Sequence, residues 1–261
     1  MSFLNTVPLV WGMMHGDQRE LFELEFAVPS ECADQLADGR ADIGIAPVAT
    51  LLDQDLRVFR GAGIACRQAV RSILLISKTP FTEVRTLAGD SSSRTSVLLA
   101  RIILARRHGA EPSLISRAPD LEAMLDSADA ALIIGDPALR CDPDELRARG
   151  LRVADLGADW IEMTGLPMVF AVWAGRPEVW TPERERAFVE SARLGMEHVD
   201  EIARSEHESR GVSLPLAREY LTRHIAFDLG EREYRGMERY LELAREIGPH
   251  EFVTTAVVSG E

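Results

Sequence analysis

Cysteine is sparse in this chain of 261 residues. Cys32, Cys66 and Cys141 stand far apart and odd in number, which argues against a disulfide framework or a thiolate metal site and for a reducing compartment. Basic residues are in short supply too: 29 lysines and arginines face 42 aspartates and glutamates. The formal charge of −13, with a pI near 5.0, disfavours nucleic acid or an anionic membrane as partner. No apolar run approaches the length of a membrane-spanning helix. Met1 to Gly16 lacks the basic start and long apolar core of an export signal, with Asn5, Thr6 and Pro8 interrupting it, so a cytoplasmic protein is expected. Also missing are a nucleotide-type glycine loop after a strand, a Gly-x-Ser-x-Gly nucleophile elbow and any zinc spacing; no metal is expected.

Against these absences stands a composition that is 46% hydrophobic and 27% charged, that of a globular protein long enough for one large domain or two modest lobes. One stretch concentrates polar chemistry. Asp90-Ser91-Ser92-Ser93-Arg94-Thr95-Ser96 runs straight into Val97-Leu98-Leu99-Ala100-Arg101-Ile102-Ile103-Leu104, so hydroxyl residues meet the start of a helix that Asp90 or a serine would cap. The first N–H groups of a helix have no partner within it and carry the positive end of its dipole, which makes such a turn a seat for a carboxylate or phosphate. Ser93, Thr95 and Ser96 add hydroxyl donors, and Arg94 adds a two-pronged cation. An ordinary capped helix would read the same way, so the stretch alone does not decide.

Along the chain, Ser2 to Thr6 reads as the end of a short leading strand and a polar turn, with Pro8 opening a helix and Met1 standing where the strand should already be under way. Asn5 and Thr6 then sit at the carboxyl end of a strand, where open α/β sheets bind ligands, or simply cap the helix. Leu24 to Val28 predicts a second strand, Pro29 to Leu36 a helix ended by Gly39, and Ala41 to Val48 a buried strand; together they predict a right-handed parallel crossover. Further strands are expected at Val58 to Phe59, Ile64 to Ala65, Ser72 to Ser77, Val84 to Ala88, Leu114 to Ser116, Ala130 to Asp136, Leu151 to Leu156 and Val169 to Ala174. From Thr181 onward the pattern is helical. Lys78-Thr79-Pro80 marks a boundary, so the economical division is a lobe of residues 1–78 with 172–261 and an inserted lobe of 79–171. Two crossings between them would make a hinge over a ligand cleft.

Five blocks, taken together and in order, resemble one family: Phe3-Leu4-Asn5-Thr6-Val7-Pro8-Leu9, the run from Pro29-Ser30 to Asp42-Ile43-Gly44-Ile45-Ala46-Pro47-Val48, Ser91-Ser92-Ser93-Arg94-Thr95-Ser96, Ile134-Gly135-Asp136 and Thr164-Gly165-Leu166-Pro167. They are similar to the menaquinone-biosynthesis chorismate dehydratases of the futalosine route, and the resemblance runs nearly end to end. It implies an α/β, two-lobed type II periplasmic-binding-protein-like fold with a hinge and an interlobe cleft, used in the cytoplasm as an enzyme. The implied reaction removes water from chorismate to give 3-[(1-carboxyvinyl)oxy]benzoate, with no metal or organic cofactor. A sister enzyme of the same fold, cyclic dehypoxanthine futalosine synthase, is the alternative within the pathway; the Leu4-Asn5-Thr6 and Pro8-Leu9 pattern looks like the dehydratase. Phe3 stands where a tyrosine is common in the family, so no hydroxyl is expected to act there.

The resemblance implies catalytic roles for Asn5 and Ser72 and substrate binding by Thr6, Ser93, Arg94, Thr95, Ser96 and Asp136. Asn5 would orient the substrate or take part in proton transfer. Ser72, on the strand entering the hinge, would bind a carboxylate or the leaving hydroxyl, or be a buried strand serine bonded to backbone. Asp136 closes a buried strand and is either an acid or base at the site or the cap of the Pro137-Ala138-Leu139 turn. No histidine falls in a resembling block, which leaves the base unassigned and the substrate's own side-chain carboxylate available for the task. The competing class is a small-anion-binding protein that does no chemistry, since a fold does not fix a function.

Overall fold

The computed structural model describes residues 3–90, 93–248 and 252–253. Its strands are β1 (Ile43–Pro47), β2 (Arg57–Cys66), β3 (Ile73–Ser77), β4 (Thr86–Gly89), β5 (Ser113–Ser116), β6 (Ala130–Ile134), β7 (Arg152–Asp155), β8 (Met168–Gly175), β9 (Ala226–Asp228) and β10 (Phe252–Val253). They form two sheets. One runs β1-β8-β2-β9 and is antiparallel at every pairing; the other runs β10-β5-β4-β6-β3-β7, parallel from β10 to β6 and antiparallel where β3 joins β6 and β7.

The helices are α1 (Val7–His15), α2 (Pro29–Ala37), α3 (Arg94–Ile103), α4 (Leu121–Ser127), α5 (Gly135–Arg140), α6 (Pro143–Ala148), α7 (Leu156–Thr164), α8 (Pro182–Glu197), α9 (Val199–Glu206), α10 (Leu214–Glu219) and α11 (Glu231–Ile247). Local chemistry sets their starts. Pro8 stands in the first turn of α1, and the side chains of Asp120, Asp142, Asp155, Thr181 and Ser213 accept the free N–H groups at the heads of α4, α6, α7, α8 and α10. β8 is apolar and buried along its whole length because it has a strand on each side and α7 and α11 packed against it. β3, equally buried, shows the two-residue period of a strand: Ile73 and Leu75 join the main core, while Leu74 and Ile76 join a smaller core on the other face of the sheet.

Several expectations change. Leu4–Thr6 is a 3-10 turn rather than a strand end, and Met1 and Ser2 lie outside the described residues. Leu24 to Val28 has no regular secondary structure and no ladder partner among the described residues: a cavity of ≈ 690 Å³ lies between it and β1, whose partner is β8. The parallel crossover expected there is therefore absent from the described residues. The two short strands expected at Val58 to Phe59 and Ile64 to Ala65 are one strand, β2, with a bulge between Phe59 and Gly63 where Gly61 adopts φ +97°. β3 pairs in the second sheet, so the chain leaves the first sheet between Cys66 and Ile73, ahead of the Lys78 to Pro80 boundary; a strand's own residues do not say which sheet completes it.

Candidate active site

Strand order gathers the polar residues. β4 and β6 are neighbouring parallel strands and β3 lies antiparallel beside β6, so the carboxyl ends of β4 and β6 share one sheet end with the start of β3. That end carries the Ser93–Ser96 turn after β4, Gly135 and Asp136 after β6, and Ser72 before β3. The register fixes their spacing: Ile73 lies opposite Ile134, and the Gly135 N–H donates to the Ser72 carbonyl at 2.8 Å. Across from them stand Asn5, in the turn leading into α1, and apolar residues of the first sheet such as Pro47, Ile64 and Phe170.

Between these walls lies a cavity of ≈ 70 Å³. Asn5, Ser72, Ser93, Arg94, Thr95 and Ser96 supply the polar side chains of the lining. Among the described residues no aspartate, glutamate, histidine, cysteine or lysine lines this cavity.

The α3 turn gathers donors with few partners among the described residues. Ser93 is the N-cap, but its side chain caps nothing: its Oγ is buried without a partner among the described residues, which removes Ser93 from the residues expected to cap this helix. Ser91 and Ser92 lie outside the described residues. The N–H groups of Arg94, Thr95 and Ser96 occupy the first turn, where no intrahelical acceptor exists. Thr95 Oγ1 accepts the Ala49 N–H at 3.1 Å, and the Thr95 carbonyl accepts the Tyr240 hydroxyl of α11 at 3.0 Å, so the turn is held at both ends. Arg94 keeps 42% of its side chain exposed and has Asp53 at 3.9 Å, which leaves its guanidinium available.

Tyr220 is the residue sequence reading missed. It is buried at the head of a π-turn, Tyr220–His224, that follows α10. Its hydroxyl donates to Ser72 Oγ at 2.8 Å and accepts Asn5 Nδ2 at 2.9 Å, which links the two expected catalytic side chains through one oxygen. Burial pushes its phenol far above the ordinary range, the hydrogen bond with Ser72 offsetting only part, so it stays protonated. A tyrosine at helical spacing carries no sequence signal for such a role.

Thr6 and Asp136 do not line the cavity. Thr6 is buried beside the ≈ 690 Å³ cavity instead. Asp136 accepts the Leu4 N–H at 3.1 Å and Arg210 Nη1 at 2.7 Å, so its carboxylate braces the Asn5 turn from behind. The segment leading to Ser72 is braced as firmly: Asp155 accepts the N–H groups of Val70 and Arg71 at 2.9 and 2.6 Å. The Arg71 guanidinium donates to the carbonyls of Ala138 and Cys141 at 2.9 and 2.6 Å. These bonds hold Arg71 at φ +65°, a conformation that costs a non-glycine residue roughly 1 to 3 kcal/mol.

Residues 1–246 match the family model described as menaquinone biosynthesis. The chain belongs to the menaquinone-biosynthesis family. A curated relative, the chorismate dehydratase of Thermus thermophilus, is 31% identical over 257 residues, 92% of each chain. Among solved structures, protein AF1704 from Archaeoglobus fulgidus superposes with a TM-score of 0.72 at 19% identity, covering 94% of this chain and 95% of that one. The periplasmic aliphatic sulphonate binding protein SsuA from Escherichia coli gives 0.63 at 15% identity over 93% and 89%. These neighbours share the fold: this menaquinone-biosynthesis protein has the two-lobed, periplasmic-binding-protein-like architecture, with the cavity at the meeting of its two sheets. Among its described residues, no helix is long and apolar enough to cross a membrane, and no three His, Cys, Asp or Glu side chains are grouped to hold a metal ion.

Proposed function

We propose that this chain is a chorismate dehydratase, a carbon–oxygen lyase that converts chorismate to 3-[(1-carboxyvinyl)oxy]benzoate and water in the cytoplasm. The observation that carries this reading is one small cavity lined by Asn5, Ser72 and the Arg94–Ser96 turn, with no acidic side chain among the described residues of its lining. Such a lining suits a flat dianion despite the formal charge of −13 elsewhere. Kinship with the Thermus thermophilus enzyme supports the choice of substrate. All three cysteines are free, in keeping with a reducing compartment.

In the reaction the C3–H bond breaks and its electron pair becomes part of the aromatic ring, while the C4–O bond breaks and the oxygen leaves as water once protonated. Aromatisation supplies the driving force, so the protein has to hold the dianion, assist the leaving oxygen and orient the proton's path. Arg94 and the first-turn N–H groups of α3 hold one carboxylate. Ser72 Oγ assists the leaving hydroxyl, and Asn5 orients the ring. With no acid or histidine in the lining, the substrate's own side-chain carboxylate takes the C3 proton and passes it to the departing oxygen.

Incubating the purified protein with chorismate in chelator-containing buffer and following the products by chromatography and mass tests this. Loss of one water to the enolpyruvyl benzoate is the expected result. Tight binding of unchanged chorismate would replace the reading with a binding protein, and turnover of dehypoxanthine futalosine instead would replace it with the cyclase.

A further inference from the structure

We propose that Tyr220 is a positioning residue that fixes the direction of hydrogen bonding across the site, leaving Ser72 a donor and Asn5 an acceptor toward the substrate. Its kinetic consequences rest on the chorismate reading; the hydrogen-bond direction rests on geometry. An amide NH₂ only donates, so Asn5 Nδ2, 2.9 Å from the phenol oxygen, takes up a lone pair of Tyr220. The phenol has one proton, and its other neighbour is Ser72 Oγ at 2.8 Å. That proton is therefore donated to Ser72. Ser72 Oγ accepts there, its own hydroxyl proton has no acceptor among the described residues, and the residue lines the cavity. Asn5 Oδ1 is likewise buried without a partner among the described residues, although Asn5 lines the same cavity.

The chain from Asn5 to Tyr220 to Ser72 thus runs one way and presents one donor and one acceptor to the ligand. An elimination needs that pairing: Ser72 O–H donates to the leaving oxygen as its C–O bond breaks, and Asn5 Oδ1 orients the ring through the hydroxyl that departs. Burial of Tyr220 keeps water from reversing the order, and the π-turn is pinned at its far end by His224 Nδ1 against the Ala69 carbonyl at 2.8 Å. The phenol is held, not floating.

Tyr220→Phe keeps the ring and deletes one oxygen. Its kcat for chorismate should fall about ten- to a hundredfold with KM changed less than about threefold. In a Ser72→Ala background the same change should cost less than about threefold, because the residue it acts through is gone. Asn5→Asp can only accept, so it draws the phenol proton, turns Ser72 toward the phenol and should fall to the Ser72→Ala level. Unchanged kcat in Tyr220→Phe, full additivity with Ser72→Ala, or near-wild-type turnover of Asn5→Asp would each overturn the proposal.

A substrate-free measurement separates this from the fate of the chorismate reading and from misfolding of a variant. Asn5 is the sole asparagine in the 261 residues, so asparagine-selective ¹⁵N labelling gives one side-chain NH₂ pair. In the wild type that pair should be protected from hydrogen exchange; exchange as fast as a free amide would sink the proposed direction. Wild-type protein inert to chorismate, with a protected Asn5 amide, would remove the function and leave the hydrogen-bond chain standing.

Discussion

In one group of polar side chains, which reaches across the cavity, the members are engaged with each other: Asn5 with Tyr220, and Tyr220 with Ser72. In a second group, at the α3 turn, they are kept apart. Ser93 Oγ is buried without a partner, Arg94 is partly exposed with its nearest carboxylate at 3.9 Å, and Thr95 is tied to backbone alone. The first arrangement gives each atom one direction, which is what bond breaking requires; the second gives strong donors without fixed commitments, which is what capture of an anion requires. The difference predicts that substitutions in the two groups separate into kcat and KM effects.

The largest effect belongs to the linked group. Ser72→Ala should lower kcat about a hundred- to a thousandfold, the range for losing one preorganised donor, with KM nearly constant, and Asn5→Ala should follow it. A rise in KM at constant kcat in either variant would erase the contrast between the two groups. Arg94→Ala should do the opposite, raising KM about ten- to a hundredfold, the equivalent of a charge-assisted hydrogen bond of about 1.5 to 3 kcal/mol, with kcat nearly unchanged. Arg94→Lys should restore only part, because an ammonium cannot grip a carboxylate by two parallel bonds. A drop in kcat for Arg94→Ala would mean that the seat takes part in the chemistry.

Gly135 joins the two sides of the site, and changing it sharpens the comparison through stability. It has φ +64°, and a Cβ there would lie 2.5 Å from the Phe3 ring, just ahead of the Asn5 turn. Gly135→Ala should cost about 1 to 3 kcal/mol, read as a melting temperature lower by several degrees. Adding Phe3→Ala should recover the part due to collision and leave the backbone strain. Equal melting of wild type and Gly135→Ala would show that the two sides are not in firm contact.

What the sequence made legible follows from range. The α3 turn is local chemistry, a run of hydroxyls ahead of an apolar helix, and it reads correctly apart from the direction of the Ser93 side chain. Asn5 and Ser72 were reached through family likeness rather than pattern. Tyr220 was not reached at all: its two partners lie 215 and 148 residues away, and nothing near Tyr220 marks it among core tyrosines. Asp136 shows the same limit, since its expected roles were site chemistry or a local cap and its partners are Leu4 and Arg210. Leu24 to Val28 has a strand's residues without a strand's neighbour, and pairing is a property of the fold.

The smallest effect separates the cavity from the rest of the molecule by pH. Because no acid or histidine among the described residues lines the cavity, the carboxylates that govern acid stability lie elsewhere. At Glu233 burial opposes the charge, but hydrogen bonds from Arg67 and the Gly230 N–H outweigh it and hold the carboxyl below its ordinary range. Burial opposes Asp129 as well, and the N–H groups of Arg85 and Thr86 with the Thr86 hydroxyl outweigh it. A carboxylate depressed in the folded state contributes stability that is complete above its unfolded pKa and lost as pH falls through its folded one. Asp159, raised by burial despite Arg107, works the other way and softens the fall. Melting temperature should therefore stay level from about pH 7 to 5 and decline below about pH 4, with Glu233→Gln and Asp129→Asn flattening the decline. Turnover per folded molecule should stay level from about pH 7 to 5, since the described lining holds no acid or histidine. A kcat that titrates in this interval would mean that an acid or histidine reaches the cavity when substrate closes it, and the division of labour between the two groups would have to include that residue.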